Sequence, residues 1–179
     1  IFGTNEENGS ADIKHYLRNE KMPSMVFTPD ASYPVINCEK GMARMNFSAK
    51  ISNCDIISIH GGQVINAVPS DAEAIINSKY YDSAKAFIED SNNGCVYSIS
   101  ERGDTISIIT KGESAHASTP ENGINAITGL LQLLSSLDIS DNTTAKLLSD
   151  IVRLYPHGET NGNSLGVACE DESGAPTCV

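Results

Sequence analysis

The chain has 179 residues and a mass of 19.1 kDa, with 12 Lys and Arg against 23 Asp and Glu, a formal net charge of −11 and a pI near 4.6. That balance argues against a partner held through its phosphates, because nucleic-acid affinity comes mainly from basic side chains releasing counterions. With 40% hydrophobic residues the chain can bury a core, and no apolar run approaches the roughly 18–20 residues that cross a bilayer.

Elements follow in chain order. Ile1-Phe2-Gly3-Thr4 reads as the end of a buried strand entering a glycine turn, and Ile13, Tyr16 and Leu17 predict a helix over 10–19 with Ser10 as cap. Prolines 23, 29 and 34 mark loop and short strand. From Gly41 the alternation of Ala43, Met45, Phe47 and Ala49 with polar neighbours predicts a strand. Further strands are predicted over 56–60 and 72–76, then a helix over 80–90 with Tyr81, Ala84 and Ile88 on one face. A hairpin follows, 95–100 and 105–110, across Arg102-Gly103-Asp104. Thr119 as cap and Pro120 at the first position open the strongest helix, with Ile124, Ile127, Leu130, Leu131, Leu134 and Leu137 along one stripe. A last helix is predicted over 144–154, and a strand over 165–169 in the Gly-rich tail. The order β, β, β, α, β, β, α predicts an α+β fold, an antiparallel sheet with helices on one face. A domain boundary is placed near Lys40.

Cys38, Cys54, Cys95, Cys169 and Cys178 are odd in number and contain no C-x-x-C pair, which reads as free thiols in a reducing, cytoplasmic setting. No signal-peptide pattern precedes the first element, and Ile1 in place of Met suggests a processed chain or a piece.

Few residues offer chemistry. Adjacent Glu6 and Glu7 repel unless a cation or metal sits beside them, so one could ligate a metal while the other handles a proton. Thr4-Asn5-Glu6-Glu7 equally fits the S/T-x-x-E capping box. Asp30 follows Pro29 in a turn, where Asp commonly bonds its own backbone, and is otherwise a hard oxygen ligand. His116, among small residues before a helix, could donate to an anionic group or be an exposed loop histidine. His15, His60 and His157 receive no role. Arg102-Gly103-Asp104, Gly61-Gly62-Gln63 and three Asn-x-Ser/Thr sequons are chance matches.

Taken in order, Ile1-Phe2-Gly3-Thr4-Asn5-Glu6-Glu7-Asn8-Gly9, Thr28-Pro29-Asp30-Ala31-Ser32-Tyr33-Pro34, Glu39-Lys40-Gly41, Asn66-Ala67-Val68-Pro69 and Lys111-Gly112-Glu113-Ser114-Ala115-His116-Ala117-Ser118-Thr119-Pro120-Glu121-Asn122-Gly123 resemble one family. It is the PepV-like zinc dipeptidases of the aminoacylase/carboxypeptidase metallopeptidase superfamily. The resemblance covers most of residues 1–130. It implies a piece of an α/β catalytic domain over 1–40, then a ferredoxin-like lid over 41–179 that is unfinished at its C-terminus. By motif position Glu6 would be the general base, Glu7 and Asp30 would each ligate one of two zinc ions, His116 would stabilise the oxyanion and bind substrate, and Asn66 would hold the substrate carboxylate. Zinc, with manganese or cobalt as substitutes, a dipeptide substrate and a homodimer through the lid are implied with it.

The family also carries an upstream H-x-D segment, a bridging Asp and a downstream His, which this chain lacks. Only Glu7 and Asp30 of five expected protein ligands are present, against the three or four zinc wants. The chain is therefore expected to be a lid-centred fragment that hydrolyses nothing alone. Asn5 stands where relatives usually have Asp. Two other classes fit the residues: a non-enzymatic α+β binding or dimerisation module, and a hydrolase using Glu6 or Glu7 with Asp30 as an acid–base pair.

Overall fold

The computed structural model describes residues 3–6, 9–29, 34–36, 41–49, 55–172 and 174–179. The chain divides into two units, Ile1–Glu39 and Lys40–Val179.

Among the described residues the first unit carries an α-helix, α1 (Ala11–Asn19). Ser10 occupies the cap position but has left-handed backbone angles (φ 52°, ψ 49°) and makes no side-chain cap bond. The capping is done from further back: Asn5 Oδ1 accepts from the Ala11 N–H at 2.9 Å. This corrects the expected Ser10 cap, and the reason is the turn at Gly9 (φ 90°), which brings Asn5 rather than Ser10 over the helix end.

Alternation builds the second unit. Ala72, Ala74 and Ile76 share one face of a strand and are buried, so the strand needs a cover on that side. The sheet has four antiparallel strands, β1 (Ile56–Gly61), β2 (Asp71–Asn77), β3 (Val96–Arg102) and β4 (Thr105–Lys111), in the order β1-β2-β4-β3. Between β2 and β3 lies α2 (Tyr81–Asp90); after β4 come α3 (Ala126–Ser136) and α4 (Asn142–Leu154). Strands β2 and β3 run parallel on either side of β4 with α2 crossing between them, the split βαβ of the expected ferredoxin-like lid. A register shift between Ile56 and Ser58 leaves Ile57 exposed on the edge strand β1.

The helices cover one face. Ile56, Ile76, Ile106 and Ile108 meet Ala84, Ala126, Leu130, Leu133 and Leu134 in a continuous core. Burying each of these Ile and Leu side chains contributes about 1.5–3 kcal/mol. α4 adds Leu148 to it and packs on α3. The opposite face is mixed: Ser98 and Ser100 are exposed beside half-buried Ile75 and Ile109, and Glu73 Oε1 accepts from the Ser107 hydroxyl at 2.6 Å.

Three expected elements differ. Residues 41–49 alternate as predicted but lie exposed and outside any strand; alternation sorts side chains, whereas a strand also needs a ladder partner. Residues 165–169 form no strand: 163–166 make a turn, with Gly162 and Gly166 at positive φ (70° and 73°) and the Val167 N–H bonded to Gly162 O at 3.1 Å. Thr119 caps nothing: Pro120–Asn122 is a single 3-10 turn that ends at extended Gly123, and α3 starts afresh behind Asn125, whose Oδ1 accepts from Ile127 and Thr128. Pairing of Glu113 with Ile124 holds the chain extended there, so the helix cannot begin earlier.

A polar staple ties the start of β1 to the α3–α4 connection. Asp55 Oδ2 accepts from Lys79 Nζ and from the Tyr80 hydroxyl, both at 2.7 Å, while the Ser140 N–H donates to Tyr80 Oη at 3.2 Å. Lys79 and then Tyr80 hold the Asp55 carboxyl below 3.8, and Asp55 holds the Lys79 ammonium above 10.5. The depressed Asp55 contributes stability above pH 3.8 that is lost as pH falls through its folded value. The raised Lys79 contributes below pH 10.5 and loses it as pH climbs through its own. Unfolding midpoints measured across pH should therefore sag at both ends, and Asp55→Asn should flatten both limbs. Unaltered limbs in that variant would remove the staple from the account.

Candidate functional site

Glu6 has 3-10 geometry and is exposed. Its carbonyl accepts from the Gly9 N–H at 3.1 Å and the Asn5 carbonyl from Ser10 at 2.8 Å, so the turn folds back at Gly9 onto α1. The Thr4 N–H donates to Asp12 Oδ2 at 2.9 Å. A capping box would bring Glu7 to that N–H; Glu7 lies outside the described residues, and the described acceptor is Asp12. A Cβ on Gly3 would stand 2.3 Å from Asp12 Oδ2, which is why the turn opens with glycine. The Ile13 N–H, then that of Thr4, lowers the Asp12 carboxyl below 3.8. Asp12 and Asn5 were not picked out from sequence as supports for this turn; the acid in the first turn of a predicted helix was the available signal.

Glu7 and Asp30, the predicted metal ligands, lie outside the described residues. Among the described residues no three His, Cys, Asp or Glu side chains converge to hold a metal ion. Carboxylates are suitable donors, but two of them fall short of a zinc site. The described part of the chain therefore does not make a metal centre by itself, and no helix in it is long and apolar enough to cross a membrane.

Asn66 and His116 are brought together within the second unit. The Val68 N–H donates to Ala115 O at 2.8 Å and the Ala117 N–H to Asn66 O at 2.9 Å, a short antiparallel ladder with Ala67 opposite His116. Ala67 and His116 form the narrow, non-hydrogen-bonded kind of pair, whose side chains share a face. Asn66 is half-buried one position off that pair; His116 is exposed. The Thr119 N–H bonds His116 O at 2.9 Å, so the histidine begins a tight turn.

The ring is held from one side. Nδ1 lies 3.2 Å from the Ser118 N–H and 2.7 Å from Ser118 Oγ. A backbone N–H can only donate, so Nδ1 accepts; the neutral ring then carries its proton on Nε2 and has a donor to offer. Ser118 went unremarked in the sequence, although His-x-Ser at the mouth of a turn was there to read.

Two glycines let the supporting strands approach. Glu113 and Ile124 exchange backbone bonds of 2.9 and 2.8 Å; a Cβ on Gly112 would lie 1.9 Å from Ile124 O, and one on Gly123 2.9 Å from Glu113 O. Behind this turn is a cavity of about 280 Å³ lined by Asn93, Asn125, Thr128, His157, Glu159 and Cys178 among others, and no predicted site residue lines it. His157, given no role from sequence, braces its wall: Nε2 donates to Asn93 O at 2.8 Å, and Nδ1 lies 2.8 Å from Thr128 Oγ1. Gly112→Ala should force the 113–124 pairing apart and lower stability by roughly 2–3 kcal/mol, the upper part of the overpacking range. A urea melt of the variant matching the parent would show that this close approach is not required.

The sequence matches the family described as a peptidase dimerisation domain over residues 104–170, from β4 through α3 and α4 into the tail. The chain is 34% identical over 182 aligned residues to the candidate dipeptidase YtjP of Bacillus subtilis (strain 168), covering 96% of this chain and 38% of that protein. Against the Beta-Ala-Xaa dipeptidase of Lactobacillus delbrueckii subsp. lactis it is 29% identical, over 96% of this chain and 37% of the relative. A candidate dipeptidase of Staphylococcus haemolyticus (strain JCSC1435) is 29% identical over 93% of this chain and 37% of its own length. The chain thus spans little more than a third of these relatives. With five motifs in the expected order and nearly all of its residues aligned to these dipeptidases, the matches support a fragment of a PepV-like peptidase.

Proposed function

We propose that this chain is the lid and part of the active-site rim of a metal-dependent dipeptidase, in which short peptides are cleaved at the amide by an activated water. The observation that carries the reading is His116: an exposed histidine on a backbone-paired segment, with Nδ1 occupied and Nε2–H left to donate. The dipeptidase names of the relatives support the substrate class.

In this reading Glu7 and Asp30 each give a carboxylate to a two-zinc centre whose remaining ligands lie outside this chain, with manganese or cobalt able to substitute. When bound, the metal supplies a water acidic enough to attack at neutral pH. Glu6 takes the proton of that water and passes it to the leaving amine. His116 donates from Nε2–H to the carbonyl oxygen as it gains charge, and Asn66 holds the substrate carboxylate. Residues 1–40 then belong to the catalytic domain and 41–179 to the lid, and the chain by itself turns over no peptide. The setting is cytoplasmic.

The match to a peptidase dimerisation domain supports pairing of two copies through the lid, where β1 and β3 stand at the two edges of the described sheet. This association sits alongside the peptidase reading.

In the full-length protein, Glu6→Ala should reduce turnover by roughly 10²–10⁴-fold while leaving metal content unchanged, measured by elemental analysis beside a dipeptide assay. His116→Ala should slow it by roughly 10²–10³-fold, the usual loss for one oxyanion donor. Near-normal rates in either variant contradict the corresponding role, and full activity after exhaustive chelation contradicts the metal.

A further inference from the structure

We infer that Ser118 is the positioning residue for His116: its hydroxyl and its backbone N–H together fix the ring in the Nε2–H tautomer and aim that proton out of the turn. Three observations carry this. First, the two donors of Ser118 converge on one ring nitrogen, at 2.7 and 3.2 Å. The backbone N–H cannot reverse its role, so a proton on Nδ1 would face another donor. Second, His116 is exposed, and among the described residues Ser118 supplies the hydrogen bonds to its ring. Packing does not set the ring angle, which leaves the hydroxyl to do it. Third, the backbone at both residues is fixed independently of their side chains, by the ladder to 66–68 and by the Thr119-to-His116 turn bond of 2.9 Å. The hydroxyl is therefore held where it can act on the ring, and removing it should not unravel the loop.

Ser118 does not act here as a nucleophile. Its hydroxyl donates to Nδ1, as the serine of an acyl-transfer dyad also would, but no hydrogen bond or ion pair among the described residues puts a carboxylate on the far nitrogen to steady a cationic ring. The catalytic consequence rests on the role proposed above for His116; the tautomer does not.

The two are separated by measuring both. In this chain, labelled with ¹⁵N-histidine and kept in mildly alkaline buffer, long-range ¹H–¹⁵N spectra report which ring nitrogen of His116 is protonated, the signals being assigned by their loss in His116→Gln. The parent should show Nε2–H alone. Ser118→Ala keeps the backbone N–H at 3.2 Å but loses the 2.7 Å hydroxyl bond, so its nitrogen shifts should move part of the way toward those of a freed ring, and Ser118→Thr, which keeps the hydroxyl, should restore the parent pattern. In the full-length enzyme Ser118→Ala should lower kcat by roughly tenfold, part of the 10²–10³ attached to the donor itself, with KM within about twofold and recovery in Ser118→Thr. A parent ring protonated on Nδ1, or a Ser118→Ala variant with the parent spectrum, overturns the inference. So does abolished turnover in Ser118→Ala with an unchanged tautomer, which would make the serine a reacting group. Shifted nitrogen signals in Ser118→Ala with full activity in both Ser118→Ala and His116→Ala would uphold the positioning and remove His116 from the chemistry.

Discussion

Two backbone hydrogen bonds, Val68 to Ala115 and Ala117 to Asn66, decide where His116 can be. A loop between a strand and a helix is ordinarily the most mobile part of a domain, and a donor carried on it would lose orientation at every excursion. Pairing with 66–68 turns this loop into a short extension of the sheet. The neighbouring exchange of bonds between Glu113 and Ile124, with Ala126 bonded to Pro69 O at 2.8 Å, ties the same loop to the start of α3. His116 is thus exposed in its side chain while its main chain is fixed, the combination that presents a donor to a ligand without the entropic loss of ordering it.

The packing below explains why such a loop is affordable. One face of the sheet is closed by α2 and α3 with Ile76, Ile106, Ile108, Leu130, Leu133 and Leu134 fully buried, so stability lies in a core away from the loops. The Asp55–Lys79–Tyr80–Ser140 staple fastens the opposite end of the sheet, and His157 braces the loop after α4 against Asn93 and Thr128. The loop carrying His116 is free to be shaped by Gly112 and Gly123, positions where any side chain would collide with backbone. Function is placed on loops and rigidity beneath them.

Much of this was legible in the sequence. Strands β1 to β4 and helices α2 and α4 were predicted within a few residues, because alternation and the 3.6-residue period record which side of each element meets the core. The start of α3 was not, since a Thr-Pro pair looks like a helix opening and nothing local reveals that Glu113 would hold Ile124 extended. The 41–49 alternation misled for the same reason, a ladder partner being a property of the fold. Among site residues, Asn66 and His116 were named from motif order and are neighbours in space. Ser118 was missed because its role depends on a side-chain bond that only the turn geometry creates, and Asp12 because it serves the Thr4 backbone eight residues away.

The central claim is that the lid histidine donates a proton-bearing nitrogen to an oxygen that becomes charged during amide hydrolysis. A crystal structure of the full-length enzyme with a phosphinate dipeptide mimic tests it most directly. The account predicts Nε2 of His116 about 2.7–3.1 Å from a phosphinyl oxygen, Ser118 still on Nδ1, and the carboxylates of Glu7 and Asp30 on the metal ions. A bound mimic with His116 turned away from it, or with Glu7 and Asp30 ligating nothing, would contradict it.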